Sequence, residues 1–124
     1  MRAMASALAV LAIFAPVAAG AQGARAGDET FGAPALSEAL SGRTLEFFDA
    51  SLARYSADGR YAYRYRPGDP PFRGRWETTP DSEVCVEFDN GFSRCDRIVR
   101  AEGRLVLITE DGLRFPVREV RPTP

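Results

Sequence analysis

The sequence contains no histidine and no lysine, only two cysteines and a single tryptophan. Each shortage removes a class of chemistry. Without histidine there is no Ser-His-Asp or Cys-His arrangement, and without lysine no Ser-Lys dyad or Schiff base. Two cysteines alone cannot supply the four ligands of a zinc site. Calcium loops of the D-x-D-x-D-G kind are missing; Asp58-Gly59, Asp89-Asn90-Gly91 and Asp111-Gly112 are isolated turn signals. No cofactor, no metal and no catalytic residue is expected. The chain is also short of net charge: its 16 cations, all arginine, nearly balance 17 acids. Nothing in that balance draws the protein to nucleic acid.

What is present begins at the amino terminus. MRAMASALAVLAIFAPVAAGAQG opens with Arg2, continues through an Ala/Leu/Val/Ile/Phe run broken at Pro16, and ends in Ala19-Gly20-Ala21. A cation, an apolar stretch and an A-x-A-like site form the layout of a secretory signal. The run is Ala-rich and falls short of the roughly 20 strongly apolar residues that a membrane span needs. Residues 1–21 are therefore read as a cleavable signal peptide, and the mature chain as periplasmic or secreted with no stable membrane span.

After the signal, residues 22–33 are small, polar and aperiodic, and are expected to form a flexible arm. A short helix is expected from Pro34 to Gly42, with Pro34 near its first position, Leu36 and Leu40 four apart and Gly42 past its end. From Thr44 the pattern is strand and turn: TLEFFDA, LARYS, RYAYRYR, FRGRWETT, EVCVEF, FSRCDRIV, RLVLIT and LRFPVREV, with Gly-containing turns between most of them. These strands imply an antiparallel meander. So many short strands leave edges that closure removes. The expected fold is mainly β: one domain over residues 34–124, an up-and-down barrel or a flattened sandwich with one helix.

Cys85 and Cys95 flank Asp89-Asn90-Gly91, and two hairpin registers are possible there. A two-residue loop sets Cys85 opposite Asp96, so the cysteines point to opposite faces. A three-residue loop with Gly91 left-handed sets Cys85 opposite Cys95, Phe88 opposite Phe92, Val86 opposite Arg94 and Glu83 opposite Arg97. The cysteines then share a non-hydrogen-bonded site, where the Cα atoms come within about 4.5 Å. The apposed phenylalanines and the Glu83/Arg97 pair favour this register, and with it a structural disulfide.

Two further clusters are candidates for function. RYAYRYRPGDPPFRGRWE carries Arg64, Arg66, Arg73, Arg75 and Trp76. If the strands flanking PGDPP pair, these arginines converge into a patch for an anionic or glycan-bearing ligand. The competing reading packs the tyrosine face and Trp76 inward and leaves the arginines solvated. Glu77, Glu83, Glu87 and Asp96 lie on neighbouring strands, and a carboxylate pair among them could support glycoside hydrolysis.

The outline Leu-Ser-Gly-Arg-Thr-Leu (40–45), Tyr55-Ser-Ala-Asp-Gly59, Gly74-Arg-Trp76, Cys85 and Cys95 resembles a group of small secreted proteobacterial β-domain proteins of unknown function. Gly74-Arg-Trp76 followed by Cys85 is also similar to small β-barrel metalloprotease inhibitors secreted by Gram-negative bacteria. The first resemblance implies a periplasmic β domain without a defined activity. The second implies inhibition through an N-terminal arm, although residues 22–33 carry no inhibitory motif. The expected function is a non-catalytic binding or interaction module, monomeric, meeting an unknown protein or envelope ligand. The alternatives are an inhibitor of a secreted protease or lysozyme, and an enzyme with carboxylate-only chemistry.

Overall fold

The computed structural model describes residues 23–123; the expected signal peptide lies outside the described residues. One helix, α1 (Ala33–Leu40), precedes eight strands: β1 (Arg43–Phe47), β2 (Leu52–Tyr55), β3 (Arg60–Arg64), β4 (Phe72–Thr78), β5 (Glu83–Phe88), β6 (Ser93–Ala101), β7 (Arg104–Ile108) and β8 (Arg114–Pro122). Each strand pairs antiparallel with the next, and β8 returns to pair with β1, so the sheet closes into an up-and-down barrel. Closure supplies every strand with two neighbours and leaves no long exposed edge.

Turn chemistry explains the even spacing of the strands. Five hairpins close in the same way, with the N–H of one residue donating to the carbonyl four positions on: Phe47 to Ser51, Ser56 to Arg60, Thr79 to Glu83, Phe88 to Phe92 and Thr109 to Leu113. Their third loop residues, Ala50, Gly59, Ser82, Gly91 and Gly112, all have positive φ. This is the type I turn followed by a left-handed residue. At Gly91 it produces the register expected from the sequence: Cys85↔Cys95, Val86↔Arg94 and Glu83↔Arg97. The cysteines are joined in a disulfide with their Cα atoms 4.0 Å apart.

The barrel is filled by the alternate residues that face inward. Leu45, Phe47, Ala53, Tyr55, Tyr61, Val84, Val86, Ile98, Leu105, Leu107 and Val117 are buried there, together with Leu36 and Leu40 of α1. The helix packs against β1 and β4 and closes one end. Ser37 and Thr78 share a hydrogen bond at 3.1 Å, and the Thr78 hydroxyl donates to the Ala33 carbonyl at 3.0 Å. Trp76 lies in this half of the interior, its ring edge-on to Tyr55 at 5.4 Å and its indole N–H donating to the Ser56 carbonyl.

The segment expected as a flexible arm is held from Gly23 to Phe31 against the outside of β6, β7 and β8. Asp28 takes two hydrogen bonds from the Arg114 guanidinium, at 2.7 and 3.0 Å. Glu29 and Arg100 exchange backbone hydrogen bonds of 2.9 Å. Strand β6 runs past its last β5 partner, so Arg100 has a free edge that Glu29 fills. The Phe31 N–H donates to the Ser82 hydroxyl, which itself donates to the Ile98 carbonyl. Across this wall a second apolar cluster, Val99, Val106 and Ile108, is buried outside the barrel lumen. Gly23 sits so close to Ile108 and Gly112 that a Cβ there would collide with both.

Candidate functional site at the open mouth

An up-and-down barrel alternates its connections between two ends. The β2–β3, β4–β5 and β6–β7 turns lie at the helix-covered end. The opposite end, bounded by the β1–β2, β3–β4, β5–β6 and β7–β8 loops, has no cap among the described residues. Large apolar side chains gather on that rim in the open: Tyr65 is 55% exposed, Phe72 47%, Phe92 74% and Leu113 56%. Tyr65 stacks edge-on with Tyr63 at 4.8 Å and with Phe72 at 5.7 Å, which orders the rim without burying it.

Inside the rim lies a cup of about 220 Å³. Its walls are mostly apolar and aromatic, from Phe47, Tyr63, Tyr65, Leu107 and Phe115, with Asp49 and Ser51 beside them, and Arg94 reaches into it from β6. Arg94 faces inward because Cys95 is outward in the disulfide, and side chains alternate along a strand. For the same reason Asp96 also faces inward; it is 4% exposed. Arg94 Nε lies 2.9 Å from Asp96 Oδ2. That ion pair is close in distance, but its N–H is not aligned as a hydrogen bond. The guanidinium also lies over the Tyr63 ring, 5.5 Å from its centroid.

The environment sets the charges of the mouth. Burial pushes the Asp96 carboxyl above its ordinary range; Arg94 opposes this, and Glu110 and Asp111 reinforce it. Burial alone would lower Arg94, but Asp96 and the surrounding tyrosines hold it above its usual value. Asp49 shifts downward because the Ser51 hydroxyl and then the Ser51 backbone N–H donate to its carboxylate. Tyr61 and Tyr63 are both raised, chiefly by burial, so their hydroxyls stay protonated. Inside the cup, then, the Arg94 guanidinium stands with the Asp49 carboxylate and the neutral phenol of Tyr63.

The residues singled out from sequence fall in different places. Arg64, Arg73 and Arg75 do lie together on one surface, the outer face of β3 and β4, where Arg60↔Arg75 and Ala62↔Arg73 are paired. Arg66 lies beyond the end of β3, in the exposed β3–β4 loop. Trp76 is on the opposite face from these arginines: with Arg73 and Arg75 outward, Gly74 and Trp76 must point inward. The carboxylates are likewise split. Glu77, Glu83 and Glu87 belong to the outer face, Asp96 to the interior, and the sheet separates them. Glu83 does lie beside Cys85 and Cys95, but the bonded sulfurs offer no thiolate to a metal.

Sequence reasoning missed the inward Arg94–Asp96 pair. The signal for it was the register, since Arg94 stands opposite Val86 and Asp96 opposite Val84, and both valines belong to the core. No family model, no curated protein and no solved structure matches this chain. Fold and site together define a class: a disulfide-pinned closed barrel with one covered end and one open mouth. Among the described residues, no helix is long and apolar enough to cross a membrane.

Proposed function

We propose that the protein is exported through its residue 1–21 signal and acts as a non-catalytic binding module whose site is the mouth of the barrel. One observation carries this reading: the aromatic cup that opens between exposed rim residues and holds Arg94, the ion-pair partner of Asp96, together with Asp49. Ligand sites are concave, mostly apolar and fitted with a few convergent polar groups. At about 220 Å³ the cup lies below the roughly 300–1,000 Å³ of drug-sized sites. It suits a small molecule, or the tip of a larger one. The carboxylates at the mouth favour a neutral or cationic head group, which aromatic faces also attract.

The test is titration of the mature protein with matched aromatic amines and aromatic acids, following the Tyr63 and Tyr65 ring signals by NMR. The amines should saturate, the acids should bind more weakly, and Tyr65→Ala should weaken both without unfolding the barrel. Absence of saturable binding across the panel would overturn the reading. The exposed rim of Tyr65, Phe72, Phe92 and Leu113 equally fits a protein cleft, which is the feature that favours an inhibitor. A stoichiometric protease or lysozyme retained from periplasmic extract would select that alternative.

A further inference from the structure

A different surface carries a second site. Strands β2, β3 and β4 run side by side, and the registers place Arg54 and Arg73 on either side of Ala62, with Arg64 opposite Leu52. Adjacent strands lie about 4.8 Å apart, so Arg54 and Arg73 stem from backbones about 10 Å from each other across a methyl group. The small side chain of Ala62 leaves a groove of about 230 Å³, lined by Arg54, Arg64 and Arg73 together with Leu52 and Pro71. Among the described residues, no carboxylate lines it. The neighbouring groove, by contrast, includes Asp58 and Asp89 beside its arginines.

The state of Arg64 is unusual. It is half-buried, and its Nε is covered from solvent without a hydrogen-bond partner. Among the described residues, no carboxylate forms an ion pair with Arg64 or Arg73. A covered guanidinium N–H with no acceptor is costly, and like charges on adjacent strands repel. Both costs fall when an oxyanion enters the groove. Guanidinium forks match phosphate oxygens in pairs, and phosphate carries enough charge and enough oxygens to engage several forks at once.

We propose that this outer groove of β2–β4 binds a phosphate group, with Arg64 and Arg73 as its principal donors and Arg54 completing the rim. The site lies on the other face of the sheet from the mouth and does not depend on the reading given for it. A phosphate free in a small molecule and one that heads a lipid present the same chemistry of recognition.

Calorimetric titration of the mature protein with pyrophosphate at fixed ionic strength tests the proposal. It should show one saturable site per chain. Arg64→Gln and Arg73→Gln should each weaken it about tenfold, the scale of a lost charged hydrogen bond. Arg64→Lys, which keeps the charge and loses the fork, should fall between. Arg118→Gln, remote from the groove, should change nothing, and thermal melts of all four variants should show a folded barrel. A parallel flotation assay with phosphatidylglycerol and phosphatidylcholine vesicles separates the sources. Binding to the anionic vesicles that is lost in Arg64→Gln assigns a lipid headgroup; pyrophosphate binding without vesicle binding assigns a free phosphate compound. No saturable binding in either assay, or binding equal in Arg64→Gln, Arg73→Gln and the parent, overturns the proposal, whatever the mouth titrations show.

Discussion

At Ala50 the backbone adopts φ 70°, the conformation that Gly59, Gly91 and Gly112 hold at the same position of their own hairpins. A left-handed residue with a Cβ costs about 1–2 kcal/mol, and glycine returns part of that gain through its freer unfolded chain. Ala50→Gly should therefore stabilise the barrel by about 0.5–1 kcal/mol, measured as a raised urea midpoint at unchanged slope. Ser82 has φ 62°, but there the same replacement should destabilise. Its hydroxyl accepts from Phe31 and donates to Ile98, and both bonds would be lost from a fully buried site. Asp28 makes the clearest pH prediction. The Arg114 hydrogen bonds hold its carboxyl below the usual aspartate range, in a contact where the side chains are only 7% and 11% exposed. Because the folded value is the lower one, the pair stabilises above about pH 4 and its contribution disappears as pH falls through the folded value. Asp28→Asn should lower the melting temperature at neutral pH and flatten its decline in acid. Parallel acid limbs for variant and parent would show that the pair contributes nothing.

Among the elements, the β5–β6 hairpin joins turn chemistry to the cross-link. Gly91 sets the three-residue loop, the loop sets Cys85 against Cys95, and the bond closes a ring of about 11 residues, for which chain entropy gives roughly 3 kcal/mol or somewhat less. Cys85→Ala/Cys95→Ala should lower the melting temperature by several degrees or more while leaving any binding at the mouth largely intact. A thiol count on denatured, unreduced protein checks the premise, and two free thiols would remove it. This hairpin was legible in sequence because its turn residues and its alternation are local. The helix was legible too, shifted by only a residue or two, from Pro34, Leu36 and Leu40. Other features were not. The Gly23–Phe31 segment has no periodicity, and its seating depends on Arg114, Arg100 and Ser82, partners far along the chain. The outer arginines were legible as a group through the alternation of RYAYR. Their groove was not, because it needs Arg54 from β2 and the small Ala62 at its centre. The cup was hidden for another reason: it is built by the ends of β1, β3, β6, β7 and β8, which are far apart in sequence, and polar residues on a core face break the simple inward-apolar rule.

For the molecule as a whole, the decisive joint is the seam between the first strand and the last. Strand β8 pairs with β1 from Phe47↔Val117 to Arg43↔Pro122, with a register shift beside Glu46 and Phe47. The seam also carries the Thr44–Thr123 hydroxyl bond at 2.9 Å and the Arg121–Glu46 ion pair at 2.8 Å. Without it, β1 and the remainder of β8 become open edges, and the core residue Leu45 loses its partner Val120. The amino-terminal segment plays another part. It lies outside a barrel already closed, and its removal uncovers the Val99, Val106 and Ile108 wall without breaking the ring of strands. Two truncations should therefore behave differently. Ending the chain after Val117 should abolish the cooperative melt and produce aggregation, as exposed edges do. Starting it at Gly32 should keep the barrel's far-ultraviolet spectrum and a cooperative transition at lower temperature, with concentration-dependent association through the uncovered wall. Circular dichroism melts and sedimentation of both proteins decide the matter. A carboxy-terminal truncation that still melts cooperatively as a monomer would show that closure is not what holds this domain together.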